Sequence, residues 1–132
     1  MQEQSPNQIL QTVLILEDDF FSVTLLEMSL QEAGYKTIHF ADTDAALKGI
    51  EVETPDILLS DWALAGEASA ADVARALRLK NPDARIIFIT GYHREDINEK
   101  LQDLEPFDFL IKPIDFAHLA ERISSQTVGK SA

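Results

Sequence analysis

The chain contains no cysteine. Without thiols there is no disulfide framework, no thiolate nucleophile and no zinc–thiolate site. Positive charge is also scarce: 11 basic residues stand against 23 acidic ones, for a net charge of −12. Such a balance argues against direct contact with nucleic acid or an anionic membrane. It suits a divalent cation, a basic partner surface or solubility alone. No apolar run approaches the roughly 20 residues that cross a bilayer. The opening, Met1 to Gln8, lacks the basic start and apolar stretch of a signal peptide, so the expected location is the cytoplasm. There is no internal repeat and no low-complexity segment. The three histidines, His39, His93 and His118, show no ligand spacing and read as structural or surface residues.

What is present is one domain's worth of chain: 132 residues, 45% of them hydrophobic. Residues 1–10 are polar and read as a flexible lead-in, 11–126 as the domain, and 127–132 as a polar, frayed tail. Strands are expected at 12–17, 36–40, 56–61, 85–90 and 107–111, where short apolar runs occur. Helices are expected between them. In Phe20 to Ala33, Phe21, Leu25, Met28 and Ala33 share a stripe with Leu26 and Leu30 beside it, and Gly34 stands where a C-terminal glycine belongs. Asp42 or Thr43 can cap a second helix running to Ile50, and Ser69 a third over 70–80. A weak polar helix is expected over 94–104. A last helix starts near Asp115 and ends at about Gln126. Five strands alternating with five helices imply a parallel sheet covered on both faces through right-handed crossovers.

Two of the apolar runs end in carboxylates. Val13-Leu14-Ile15-Leu16 meets Glu17-Asp18-Asp19, and Ile57-Leu58-Leu59-Ser60 meets Asp61. In an open α/β sheet the carboxyl ends of the strands form the binding edge. Crowding three or four negative charges there is costly unless a cation binds among them. Strand four adds Thr90 and strand five adds Lys112. Hard oxygen ligands without His or Cys select Mg²⁺ or a similar ion. The set makes sense as a phosphoryl-transfer site: Asp61 the nucleophile, Lys112 a fixed positive charge, Thr90 a hydroxyl donor to phosphoryl oxygens.

The motifs VLILEDD, LLSDW, FITG and FLIKP, in this order at four strand ends, resemble the receiver domain of two-component response regulators over roughly residues 11–126. The resemblance implies the flavodoxin-like (βα)5 three-layer sandwich with a five-stranded parallel sheet in order 2-1-3-4-5. It makes Glu17 and Asp18 the acidic pair and Asp61 the phosphoacceptor. Asp61 and Ala63 join the acidic pair in the Mg²⁺ site. Thr90 becomes the switch hydroxyl, Phe109 the switch aromatic and Lys112 the family's lysine, with a cis bond at Lys112-Pro113. The implied partner is a histidine kinase or phosphotransfer protein, whose phosphohistidine donates to Asp61. Output goes to a downstream protein, and the chain is no enzyme beyond its own phosphorylation and autodephosphorylation. A weak homodimer would use the region around the fourth and fifth helices. The run FITGY is similar to a subgroup nicknamed FAT GUY, whose fourth-helix region is atypical. In place of the family's usual Pro after the phosphoacceptor and the Gly beyond it, the chain has Ala65 and Ser69, with Gly66 between.

Each of these residues also has a plainer reading. Asp61 could be a turn residue, Asp18 and Glu17 helix caps, Thr90 a turn hydroxyl, Lys112 a surface lysine and Phe109 core. Asp19, directly before the helix, is the better cap. The resemblance implies that Ala63 and Tyr92 fall at the positions that flank the attacking water, and Tyr92 is expected to restrict it. Phe20, Phe21 and Leu25 are the expected kinase-docking face. A haloacid-dehalogenase-type phosphatase would need a second Asp where Ala63 stands. A flavodoxin-type phosphate loop would not carry Glu17-Asp18-Asp19. A degenerate receiver that binds partners without phosphorylation is the remaining alternative.

Overall fold

The computed structural model describes residues 10–63, 69–91 and 101–130, with side chains as far as 124. Five apolar runs form the strands β1 (Thr12–Leu16), β2 (Lys36–Phe40), β3 (Ile57–Asp61), β4 (Arg85–Thr90) and β5 (Asp108–Ile111). All pairs are parallel, in the order β2-β1-β3-β4-β5. This is the flavodoxin-like order expected from the sequence. β3 and β4 are buried at every position, which fits the apolar runs Ile57-Leu58-Leu59 and Ile86-Ile87-Phe88-Ile89 within them.

Four α-helices lie among the described residues: α1 (Phe20–Glu32), α2 (Thr43–Val52), α3 (Ala70–Lys80) and α4 (Leu119–Lys130). Side-chain alternation along the strands sends residues to two separate cores. Leu14, Leu58, Ile86 and Phe88 pack with α2 and α3 through Ala46, Ile50, Val73 and Leu77. Val13, Ile15, Leu59 and Ile87 pack with α1 and α4 through Leu26, Leu30, Leu119 and Ile123. Gly49 in α2 makes room for Phe40: a Cβ there would meet the tip of that ring and displace it.

The helix signals hold at several ends. Asp19 caps α1, Asp42 caps α2, and Ser69 with Asp72 forms a reciprocal capping box on α3. Gly34 follows α1 with φ 99°. The expected stripe on α1 is wrong. The buried residues are Val23, Leu26 and Leu30, whereas Phe21 and Met28 are 69% and 60% exposed. Apolar side chains surround this helix, so period alone does not choose the face. The last helix also differs. Asp115 precedes a short 3-10 turn, Phe116–His118, and its carboxylate lies 2.8 Å from His118 Nδ1. α4 then runs past Gln126 to Lys130.

Of the helix expected over 94–104, the part up to residue 100 lies outside the described residues. Its end is a 3-10 turn, Gln102–Leu104. Two arginines of α3 fasten this segment. Arg75 makes a two-pronged contact with Asp103 at 2.8 and 3.2 Å. Arg78 donates to the carbonyls of Ala84, Leu104 and Pro106 at 2.7, 2.9 and 2.8 Å. The expected lead-in at residues 1–9 and the end of the tail at 131–132 also lie outside the described residues.

Candidate functional site

The connections reverse direction across the sheet between β1 and β3, so the crevice for a ligand opens at their carboxyl ends. Beyond β1 the chain stays pinned to β2: Glu17 N–H donates to the Phe40 carbonyl at 3.2 Å. His39 Nε2 lies 2.8 Å from the Glu17 carbonyl oxygen. The Glu17 side chain is buried and accepts from the Asp19 amide at 3.0 Å. Asp19 then turns away to cap α1, accepting from Ser22 N and Ser22 Oγ at 2.9 and 2.7 Å. The Ser22 hydroxyl and amide hold its carboxyl below the usual range. Asp18, between them, faces solvent.

Asp61 is the last residue of β3 and is only 6% exposed. Its Oδ1 accepts from the Ala63 amide at 3.2 Å. Trp62 N–H donates to the Ile89 carbonyl at 2.8 Å and Lys112 N–H to the Thr90 carbonyl at 2.8 Å. These bonds bring the ends of β3, β4 and β5 level. Lys112 Nζ stands 3.4 Å from both Asp61 oxygens. Asp61, Trp62, Ala63, Thr90, Gly91 and Lys112 line a cavity of about 320 Å³.

Carboxylate oxygens of Glu17, Asp18 and Asp61 come within 4.8 Å of one another. Burial pushes the Glu17 carboxyl above its ordinary value, and the charge of Asp61 adds to this; the Asp19 amide and the Lys112 ammonium oppose the rise without cancelling it. One half-exposed lysine against three carboxylates leaves a surplus of negative charge. The donors are all hard oxygens. That donor set and that surplus fit a magnesium-type ion.

The structure therefore brings Glu17, Asp18, Asp61, Ala63, Thr90 and Lys112 to one edge. Phe109 is elsewhere. It is buried below the edge in an aromatic cluster with Phe88 and Phe107, ring centroids 5.9 and 5.4 Å away. Trp62 joins edge-on to Phe88 at 5.1 Å. The cluster thus runs from the neighbour of Asp61 to Phe109. Lys112-Pro113 is cis as expected; Glu105-Pro106, which was not expected, is cis too. Tyr92, His93, Ala65 and Gly66 lie outside the described residues. His39, expected to be a structural or surface residue, touches the main chain of Glu17. Its alternation on β2 with Phe40 gave no signal of this, because the contact depends on where β2 ends.

Fold and site together define a doubly wound α/β domain with an acidic, lysine-capped pocket at its switch point. A family model described as the response regulator receiver domain matches residues 13–124, and the chain belongs to that family. The phosphate regulon transcriptional regulatory protein PhoB of Pseudomonas aeruginosa is 31% identical over 118 residues, covering 86% of this chain and 50% of that protein. The response regulator receiver protein CpdR of Brucella abortus is 28% identical over 116 residues, covering 88% of this chain and 96% of that one. Thus the chain spans half of the first relative and nearly all of the second. The structure of the Vibrio cholerae chemotaxis protein CheY4 superposes with a TM-score of 0.78 at 19% identity, covering 89% of this chain and 98% of that one. That likeness speaks to the fold. Among the described residues no helix is long and apolar enough to cross a membrane.

Proposed function

We propose that this receiver takes a phosphoryl group onto Asp61 from a phosphohistidine and thereby switches a protein-binding surface. The observation that carries this reading is the placement of the buried Asp61 carboxylate beside Glu17 and Asp18, with Lys112 Nζ 3.4 Å from both its oxygens. Glu17, Asp18, Asp61 and the main-chain oxygen of Ala63 would hold Mg²⁺, which when bound supplies neutralising charge beside the phosphoryl oxygens.

The remaining roles fall to the protein. An Asp61 carboxylate oxygen attacks phosphorus in line with the donor imidazole. The P–O bond forms as the P–N bond breaks, and the imidazole leaves with its electron pair. Lys112 faces the same oxygens and counters the charge that gathers there. The Thr90 hydroxyl, lining the same cavity, donates to a phosphoryl oxygen. The acyl phosphate adds about −2 of charge in total. Movement of Thr90 toward it would be felt by Phe88, two residues earlier on the same face of β4, and by Phe109 packed against Phe88. Turnover is confined to Asp61 itself, through self-phosphorylation and hydrolysis.

A histidine kinase or phosphotransfer protein is the donor in this reading. The exposed Phe20 and Phe21, at the start of α1 beside the acidic pair, form its docking face. Incubation with Mg²⁺ and acetyl phosphate tests the central step. Intact mass should show one phosphoryl group on the wild type and none on Asp61→Asn. Equal labelling of the two proteins would remove Asp61 from this role.

A further inference from the structure

We propose that His39 is a positioning residue for the acidic pair, holding the peptide group that joins Glu17 to Asp18. The inference rests on the reading of those two side chains as magnesium-holding groups.

β2 is one of the two edge strands, and its pairing with β1 ends at Leu16 opposite Phe40. The parallel pattern, carried one step further, would bring the amide of Asp42 to the Glu17 carbonyl. The strand stops before that step, and the Asp42 side chain is used to cap α2, accepting from Ala45 N at 2.8 Å. His39 supplies the bond instead, with Nε2 2.8 Å from the Glu17 oxygen. A carbonyl only accepts, so the ring nitrogen carries the hydrogen and donates it. A side chain therefore extends the ladder by one rung beyond the last backbone pair.

The location of this rung gives it a function. The peptide group is planar, so fixing the Glu17 oxygen fixes the direction in which Asp18 leaves. Glu17 N–H is held by Phe40, its oxygen by His39, and its carboxylate by the Asp19 amide. Without the His39 rung, rotation of this plane would swing Asp18 relative to Glu17 and Asp61. Carboxylates bind a small, geometrically demanding ion well only when held in place.

Two substitutions separate the hydrogen bond from bulk. His39→Phe keeps a ring without a donor, and His39→Gln restores a side-chain N–H. Mg²⁺ alone is titrated while Trp62 fluorescence is followed. Amide exchange at Asp19 is measured in magnesium-free protein. Loss of one hydrogen bond of ordinary strength should weaken Mg²⁺ affinity about fivefold in His39→Phe and speed Asp19 exchange by a similar factor. His39→Gln should return both to within about twofold of wild type. If the phenylalanine variant does not fold, His39→Thr, too short to reach the carbonyl, carries the same comparison. Affinity and exchange equal to wild type in the donorless variant would overturn the proposal, as would glutamine failing to rescue. A wild type that shows no response to Mg²⁺ would overturn the magnesium reading, and this inference with it, whatever the variants do.

Discussion

The two ends of this sheet handle their carboxylates in opposite ways. At the amino end, Asp56 N–H donates to the Thr12 carbonyl at 2.9 Å, its Oδ2 accepts from Thr12 N at 2.8 Å, and its carbonyl accepts from Arg85 N at 3.0 Å. One residue ties three strands together. At the carboxyl end, Glu17, Asp18 and Asp61 crowd within 4.8 Å, with Lys112 beside Asp61. A carboxylate that accepts amides from neighbouring strands serves the fold. Carboxylates crowded together with one lysine beside them are the arrangement the proposed cation site needs. The difference sets a fold-building carboxylate apart from those assigned to the proposed site.

Substitutions at the two ends should therefore separate along the same line. Lys112→Ala should slow phosphorylation by acetyl phosphate about 100-fold, the effect of removing one aligned charge from a phosphoryl site; rates from intact mass check it. Mg²⁺ at a hundredfold excess over its dissociation constant should stabilise the wild type by about 2.7 kcal/mol. Chemical denaturation with and without the ion would show this, and Asp18→Asn should lose most of the gain. Asp56→Ala should cost about 1–3 kcal/mol by leaving the Thr12 amide without its carboxylate, with little change in the phosphorylation rate. A large loss of rate in that variant would break the comparison.

The smallest effect is a pH dependence. Glu17 has a folded-state pKa above its unfolded value, so its ionised form costs stability at neutral pH in magnesium-free protein. This cost disappears as pH falls through the raised value toward the ordinary one. Glu17→Gln should therefore be the more stable protein at pH 7, and its advantage should shrink on acidification. Denaturation curves of the pair between pH 7 and pH 4 measure the trend. A growing advantage at low pH would contradict it.

Much of this was legible in the sequence because it is carried by local chemistry. Apolar runs ending in Glu17 and Asp61 placed β1, β3 and the edge where the two meet. Asp19, Asp42 and Ser69 marked helix starts because a short oxygen-bearing side chain is what an exposed helix amide needs. What was not legible depends on tertiary choice. α1 carries Phe20, Phe21, Val23, Leu25, Leu26, Met28 and Leu30, and only the sheet decides which of them it covers. The last helix starts near Asp115 as expected, but nothing local marked its first turn, Phe116–His118, as 3-10. The contact of His39 with Glu17 was not legible because it depends on the strand pairing ending one step short of Glu17.

Chemical trapping of the acyl phosphate tests the proposal most directly. The protein is incubated with acetyl phosphate, with and without Mg²⁺, reduced with borohydride and mapped by peptide mass. Reduction converts a phosphorylated aspartate to homoserine. Homoserine should appear at position 61 alone, and only in the sample that held Mg²⁺. Homoserine at another aspartate, or equal conversion of Asp61 without the ion, would contradict it.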